Sequence, residues 1–103
     1  MCGIVGYIDK QDKSHDYLNS MISSIRSRGP DAEGEWRDNS FGIYLGHTRL
    51  AIQDISETAN QPMQSPSGRY VISFNGEIYN HLDIRSHLNQ LSRIPKWLSL
   101  IHI

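Results

Sequence analysis

Directly behind the initiator methionine runs Cys2-Gly3-Ile4-Val5-Gly6-Tyr7-Ile8, and no other stretch constrains the chain as much. It is short, apolar and rich in β-formers, so it reads as a buried strand. It also holds the only cysteine of the 103 residues, which excludes an internal disulfide and fits a reducing compartment. Cys2 is small enough to allow removal of Met1, after which a thiol and a free α-amine would share one residue. Thiols ordinarily titrate at about 8.5 and α-amines at about 7.7–8.0. A nucleophile carrying its own base is one recognised way to activate a weak nucleophile. Gly3 and Gly6 leave room for a backbone or a substrate to come close. The competing reading is a small buried apolar residue at a strand start. Spacing alone does not separate the two.

Composition narrows the class. The length suits one domain, and 38% hydrophobic with 20% charged residues suits a folded globular chain rather than a disordered one. A net charge of −1 without a basic cluster gives no reason to expect nucleic acid or an anionic membrane as partner. The apolar run Ile4 to Ile8 is broken by Gly6 and closed by Asp9. It is too short for a signal-peptide core or a membrane span, so a cytoplasmic location is expected. His15, His47, His81, His87 and His102 lack metal-ligand spacing and have no second cysteine beside them. No metal is expected in this segment, and no phosphate-binding glycine loop is present.

Along the chain, Asp9 to Ser14 fits a polar turn. Its aspartates resemble a cation loop only superficially, lacking the glycine and closing glutamate. From His15 a helix is expected, with Tyr17, Leu18, Met21, Ile22 and Ile25 on one face and Asn19, Ser20, Ser23 and Arg26 outward. Gly29-Pro30 should end it through a left-handed cap. Residues 34–40 read as a polar bend around Trp36, Phe41 to Leu45 as a strand, and His47 to Ile52 as its partner or successor. Residues 53–68, with Pro62, Pro66 and Gly68, read as a long surface loop of the kind that often carries function. Tyr70 to Phe74 is a further strand, and Asn75-Gly76 is a tight-turn signal. Asn80 should cap a helix to about Asn89, with Leu82, Ile84, Leu88 and Leu91 giving an imperfect apolar face. Strands with two helices and no repeats make an α+β layered chain.

Four segments in this order, Cys2-Gly3-Ile4-Val5-Gly6, Arg28-Gly29-Pro30-Asp31, Gly46-His47-Thr48-Arg49-Leu50-Ala51-Ile52 and Phe74-Asn75-Gly76-Glu77-Ile78-Tyr79-Asn80-His81, carry a resemblance. Over roughly residues 1–95 the chain resembles the N-terminal glutaminase domain of glutamine-dependent asparagine synthetase, a class II glutamine amidotransferase. The resemblance implies an αββα sandwich of the N-terminal-nucleophile hydrolase type, here incomplete. It implies that Cys2 attacks the side-chain amide of L-glutamine. Asn75 and Gly76 match the family's oxyanion positions, for which a side-chain amide and an unhindered backbone N–H are suitable donors. Without the resemblance, Asn75-Gly76 would read as a hairpin turn. Arg49 matches the arginine that holds the substrate α-carboxylate with its planar fork; alone, it would read as a surface ion-pair partner. Leu50, Ala51, Ile52 and Gln53 would line the pocket, and Glu77 matches a residue receiving the α-ammonium group.

Three departures stand beside this. Ser27 occupies a position where the family usually has histidine, and Ala51 one where serine often follows Arg-Leu. The family also continues into a Gly-x-Ser-Asp-Thr-Glu segment, where this chain has Ile94-Pro95-Lys96-Trp97, so the aspartate that completes the grip on the ammonium group is missing. Residues 1–97 are therefore read as a partial amidotransferase domain. Residues 98–103, Leu-Ser-Leu-Ile-His-Ile, are read as a non-native tail derived from sequencing-adaptor DNA. ATP and Mg²⁺ are expected only in a missing synthetase domain, which would be the partner of this segment. The isolated chain is expected to be inactive. Alternatives are an amidotransferase for a sugar or other carboxylate in polysaccharide biosynthesis, another N-terminal-nucleophile hydrolase, and a non-catalytic truncated fragment.

Overall fold

Phe41 to Ile52 contains a glycine pair of different uses, and that decides how the strands form. In a computed structural model that describes residues 1–10, 16–51 and 57–91, Gly42 sits at φ +68 in the turn, while Gly46 lies inside one unbroken strand. That strand, β3 (Ile43–Arg49), has β1 (Gly3–Ile8) antiparallel on one side and β2 (Ala32–Asp38) antiparallel on the other. The two separate segments expected over 41–52 are thus one strand, because a missing Cβ at Gly46 is a packing device and not a break. A Cβ there would stand 2.6 Å from Ile22 Cγ1 and 2.8 Å from Val5 Cγ2.

The face that Gly46 opens receives α1 (Tyr17–Ser24). Leu18 and Ile22 are buried against Tyr44, with Val5 and Tyr7 packed around them. Tyr7 stacks on Tyr44 at 4.6 Å between ring centroids and meets Tyr17 edge-on at 6.0 Å. Burial of one such aliphatic side chain stabilises a fold by about 1.5–3 kcal/mol. The helical face agrees with the sequence expectation except that Tyr17 is half exposed; His15 lies outside the described residues. The helix ends at Ser24 and passes through a single 3₁₀ turn at Arg26–Arg28. Gly29 then has φ −150, so it is extended and not a left-handed cap. Its use is close contact: a Cβ would lie 2.3 Å from the Thr48 carbonyl carbon.

β2 corrects the expected polar bend. Glu33, Glu35 and Arg37 alternate with Ala32, Gly34, Trp36 and Asp38, and the charged set lies on the α1 side. There Arg26 pairs with Glu33, and Arg37 Nη2 reaches Asp16 at 3.0 Å and Glu35 at 3.2 Å. An antiparallel sheet tolerates such a polar rim on its edge. β1 is also an edge strand and alternates in burial, with Ile4 and Ile8 exposed. It is therefore a half-exposed edge strand and not the buried strand its composition suggested.

The remaining elements are slighter. A 3₁₀ turn at Glu57–Ala59 precedes β4 (Met63–Gln64), which pairs antiparallel with β5 (Val71–Ile72). The strand expected from Tyr70 to Phe74 is cut to two residues because β4 offers only two partners. Ala59 and Gln61 are buried, so the expected surface loop is partly interior. α2 (His81–Gln90) starts after Asn80, which makes no side-chain cap bond, and it buries no residue. Leu82 and Leu91, placed on its apolar face by the sequence, are exposed. The whole is a mixed α and β chain with antiparallel sheets. Among the described residues no helix is long and apolar enough to cross a membrane.

Candidate active site

Backbone hydrogen bonding at the end of β3 seats the Cys2 thiol. The register pairs Gly3 with Thr48, which brings Cys2 beside the exit of the strand. Its Sγ accepts the Leu50 N–H at 3.3 Å and donates to the Leu50 carbonyl at 3.7 Å. The side chain is half-buried. Arg28 Nε donates to the Cys2 carbonyl at 3.5 Å.

The Arg28-Gly29-Pro30-Asp31 segment holds that exit from the other side. Pro30 bridges to Arg49 in parallel fashion. The Asp31 N–H donates to the Arg49 carbonyl at 3.0 Å, and Asp31 Oδ2 accepts the Ala51 N–H at 2.8 Å. The motif therefore brackets the Leu50 peptide that touches the thiol. Arg49 is itself buried, and its Nη1 donates to Asn60 Oδ1 at 2.8 Å. Thr48 Oγ1 donates to the Ile25 carbonyl at 3.1 Å.

Asn75 and Gly76 follow Phe74, whose backbone is held at both polar atoms. Gln61 Oε1 accepts the Phe74 N–H at 2.6 Å, and Gln61 Nε2 donates to the Phe74 carbonyl at 3.1 Å. His47 Nε2 lies 3.3 Å from the same carbonyl. His47 is almost fully buried, and burial holds its imidazole below the ordinary histidine range. The chain leaves Gly76 toward α2 and not into a returning strand, and Gly76 has no positive φ. A hairpin needs a returning strand, and among the described residues none follows Gly76.

Cys2, Arg49, Leu50 and Ala51 thus form one contiguous group. Asn75 and Gly76 are tied to the same strand through Phe74 and His47. Glu77 is exposed one residue further on. Ile52 and Gln53 lie outside the described residues. Sequence reading gave no role to Gln61 or Asp31; the signals available were a glutamine before a proline, and an aspartate inside a quoted motif. A groove of about 440 Å³ between the sheets is lined by Ile4, Gly6, Leu45, Val71 and Ile72 among others. None of Cys2, Arg49, Leu50, Ala51, Asn75 and Gly76 lines this groove.

Comparison with known proteins bears on this geometry. Residues 1–96 match the family model of the glutamine amidotransferase domain. The chain belongs to that family. It is similar to a putative glutamine-hydrolysing asparagine synthetase 2 of Methanocaldococcus jannaschii, 37% identical over 86% of this chain and 21% of the relative. Asparagine synthetase 3 of Bacillus subtilis is 36% identical over 99% of this chain and 18% of its own length. A Gibberella zeae protein named amidase chry2 is 32% identical over 85% of this chain and 15% of its own length. The chain therefore spans about a fifth or less of these curated relatives. No solved structure matches it.

Proposed function

We propose that residues 1–97 are the N-terminal part of a glutamine-hydrolysing domain that supplies ammonia to a larger, asparagine synthetase-like ligase. The observation that carries this reading is the Cys2 thiol seated against the Leu50 peptide, on the strand that presents Arg49. In this reading Cys2 Sγ attacks the side-chain amide carbon of L-glutamine. Ammonia leaves as the C–N bond breaks, and water hydrolyses the resulting thioester to glutamate. Removal of the exposed Met1 frees the α-amine that carries the proton, directly or through a water.

Asn75 Nδ2 and the Gly76 N–H serve as oxyanion donors, and loss of one such donor costs about 2.7–4 kcal/mol of transition-state stabilisation. Arg49 takes the substrate α-carboxylate, with Leu50, Ala51, Ile52 and Gln53 as pocket wall and Glu77 toward the α-ammonium group. β1–β3–β2 with α1, and β4–β5 on the other sheet face, would be part of an αββα sandwich. ATP and Mg²⁺ chemistry, and the choice of ammonia acceptor, belong to the partner domain. The lone thiol suits a cytoplasmic protein.

The test measures ammonia release from L-glutamine by two proteins, each with and without Cys2→Ala. One is the 103-residue chain. The other joins residues 1–96 to the remainder of the Bacillus subtilis relative. The joined protein should release ammonia and lose that release with Cys2→Ala, while the short chain should release none. Full activity in the Cys2→Ala protein would sink the reading.

A further inference from the structure

Beyond the residues that touch substrate, we propose that Gln61 is a positioning residue that holds Asn75 and Gly76 in their working geometry. The inference rests on the glutaminase reading and adds a group to it. β5 ends at Ile72, so among the described residues Phe74 has no strand neighbour for its backbone. The Gln61 side chain takes the place of that neighbour, because its amide offers one acceptor and one donor face like a peptide. Both bonds are made, at 2.6 Å to the N–H and 3.1 Å to the carbonyl.

The consequence reaches the oxyanion donors through covalent geometry. The Phe74 carbonyl and the Asn75 N–H belong to one planar peptide. A carbonyl gripped by Gln61 Nε2, with His47 Nε2 beside it at 3.3 Å, fixes that plane, and Gly76 follows one residue later. Donors of this kind act by being in place before the charge develops. Gln61 is buried, and its own backbone is seated on β2. A Cβ at Gly34 would come 1.9 Å from the Gln61 carbonyl oxygen. The grip is thus anchored to the main sheet and not to a mobile surface.

Two measurements test this. In the 103-residue chain, amide exchange of Phe74 should accelerate at least tenfold in Gln61→Met, with Val5 and Leu45 unchanged. In the joined protein, Gln61→Met should lower kcat for glutamine hydrolysis by about 10²-fold, the scale of one lost donor, with KM within twofold. Gln61→Glu should recover kcat relative to the unaltered protein as pH is lowered, because a protonated carboxyl restores the donor and acceptor pair. Unchanged exchange at Phe74 overturns the clamp. Faster exchange with unchanged kcat, or a loss confined to KM, overturns the positioning role. Retained activity in Cys2→Ala instead overturns the glutaminase reading, and the positioning role falls with it.

Discussion

Two parts of this molecule are held by different forces. The sheet β1–β3–β2 with α1 is closed by apolar contact: Leu18, Ile22 and Tyr44 are buried together, and two long ladders run beside them. Residues 57–91 have a two-residue ladder, a helix that buries nothing, and Ala59 as their one buried hydrophobic residue among those described. What ties this second part to the first is polar. His47 Nε2 lies 3.3 Å from the Phe74 carbonyl, Ser73 reaches the Gly46 carbonyl at 3.5 Å, and Arg49 reaches Asn60 at 2.8 Å. The Cys2–Leu50 contact lies in the apolar part, whereas Asn75 and Gly76 depend on the polar ties. If the proposed site is assembled across this boundary, Asn75 and Gly76 can be displaced while Cys2 stays in place.

The largest effect that would break the contrast concerns Leu18. Leu18→Ala should cost about 2–5 kcal/mol, the range for truncating a fully buried leucine, read as a lowered urea midpoint. A cost below about 1 kcal/mol would mean that the apolar part is not the anchor.

Gly34→Ala comes next, because it strikes the seam itself. Its new Cβ would meet the backbone carbonyl oxygen of Gln61 at 1.9 Å, with no flexible side chain to move aside. Overpacking of this kind costs about 1–3 kcal/mol or more. Exchange should rise at Phe74 first and at the β1–β3 amides less. Equal loss in both would show one cooperative unit.

A smaller effect sharpens the seam by pH. Burial lowers the His47 imidazole below its ordinary range, and the Arg49 charge acts in the same direction. The unfolded chain therefore binds a proton more readily than the folded one. The contribution of neutral His47 is present above about pH 6.5, the ordinary histidine value, and declines as pH falls toward the lower folded value. Asp16 and Glu33 are held below the ordinary carboxylate range by Arg37 and Arg26, so their contribution is present above about pH 4 and is lost as the pH falls below it. A urea midpoint that drops between pH 6.5 and 5 in the unaltered chain should flatten there in His47→Gln. An identical profile in both would remove His47 from the seam.

Legibility in the sequence followed the same boundary. The helical face of α1 is legible because apolar spacing and burial coincide at Leu18 and Ile22. Gly3–Ile8 is legible as a strand but not in its exposure, since Ile4 and Ile8 are exposed. β2 is not legible as a strand. Its charged residues look like a solvated bend in sequence, but Glu33 pairs with Arg26, and Arg37 pairs with Asp16 and with Glu35 of its own strand. The motifs single out Cys2, Arg49, Asn75 and Gly76 as candidates, but not the contacts around them. Sγ against the Leu50 peptide and the Gln61 grip on Phe74 join residues 48 and 13 apart, and neither has a periodicity to detect. α2 is legible as a helix with an imperfect apolar face of Leu82, Ile84, Leu88 and Leu91, of which Leu82 and Leu91 are exposed. Periodicity names a face; it does not supply what covers it.

That last point gives the smallest expected effect. Leu82 is 65% exposed and Leu18 is fully buried, although both sit on helices with apolar stripes. Leu82→Ala in the 103-residue chain should change stability by no more than about 0.5 kcal/mol, as for surface substitutions away from special features. In the joined protein, where more chain is present, the same substitution should cost more if α2 is then covered. Equal, near-zero costs in both would mean that α2 stays uncovered and that its apolar stripe has no packing role. A large cost in the short chain would mean that α2 already belongs to the anchored part, and the division between the two regions would move beyond residue 91.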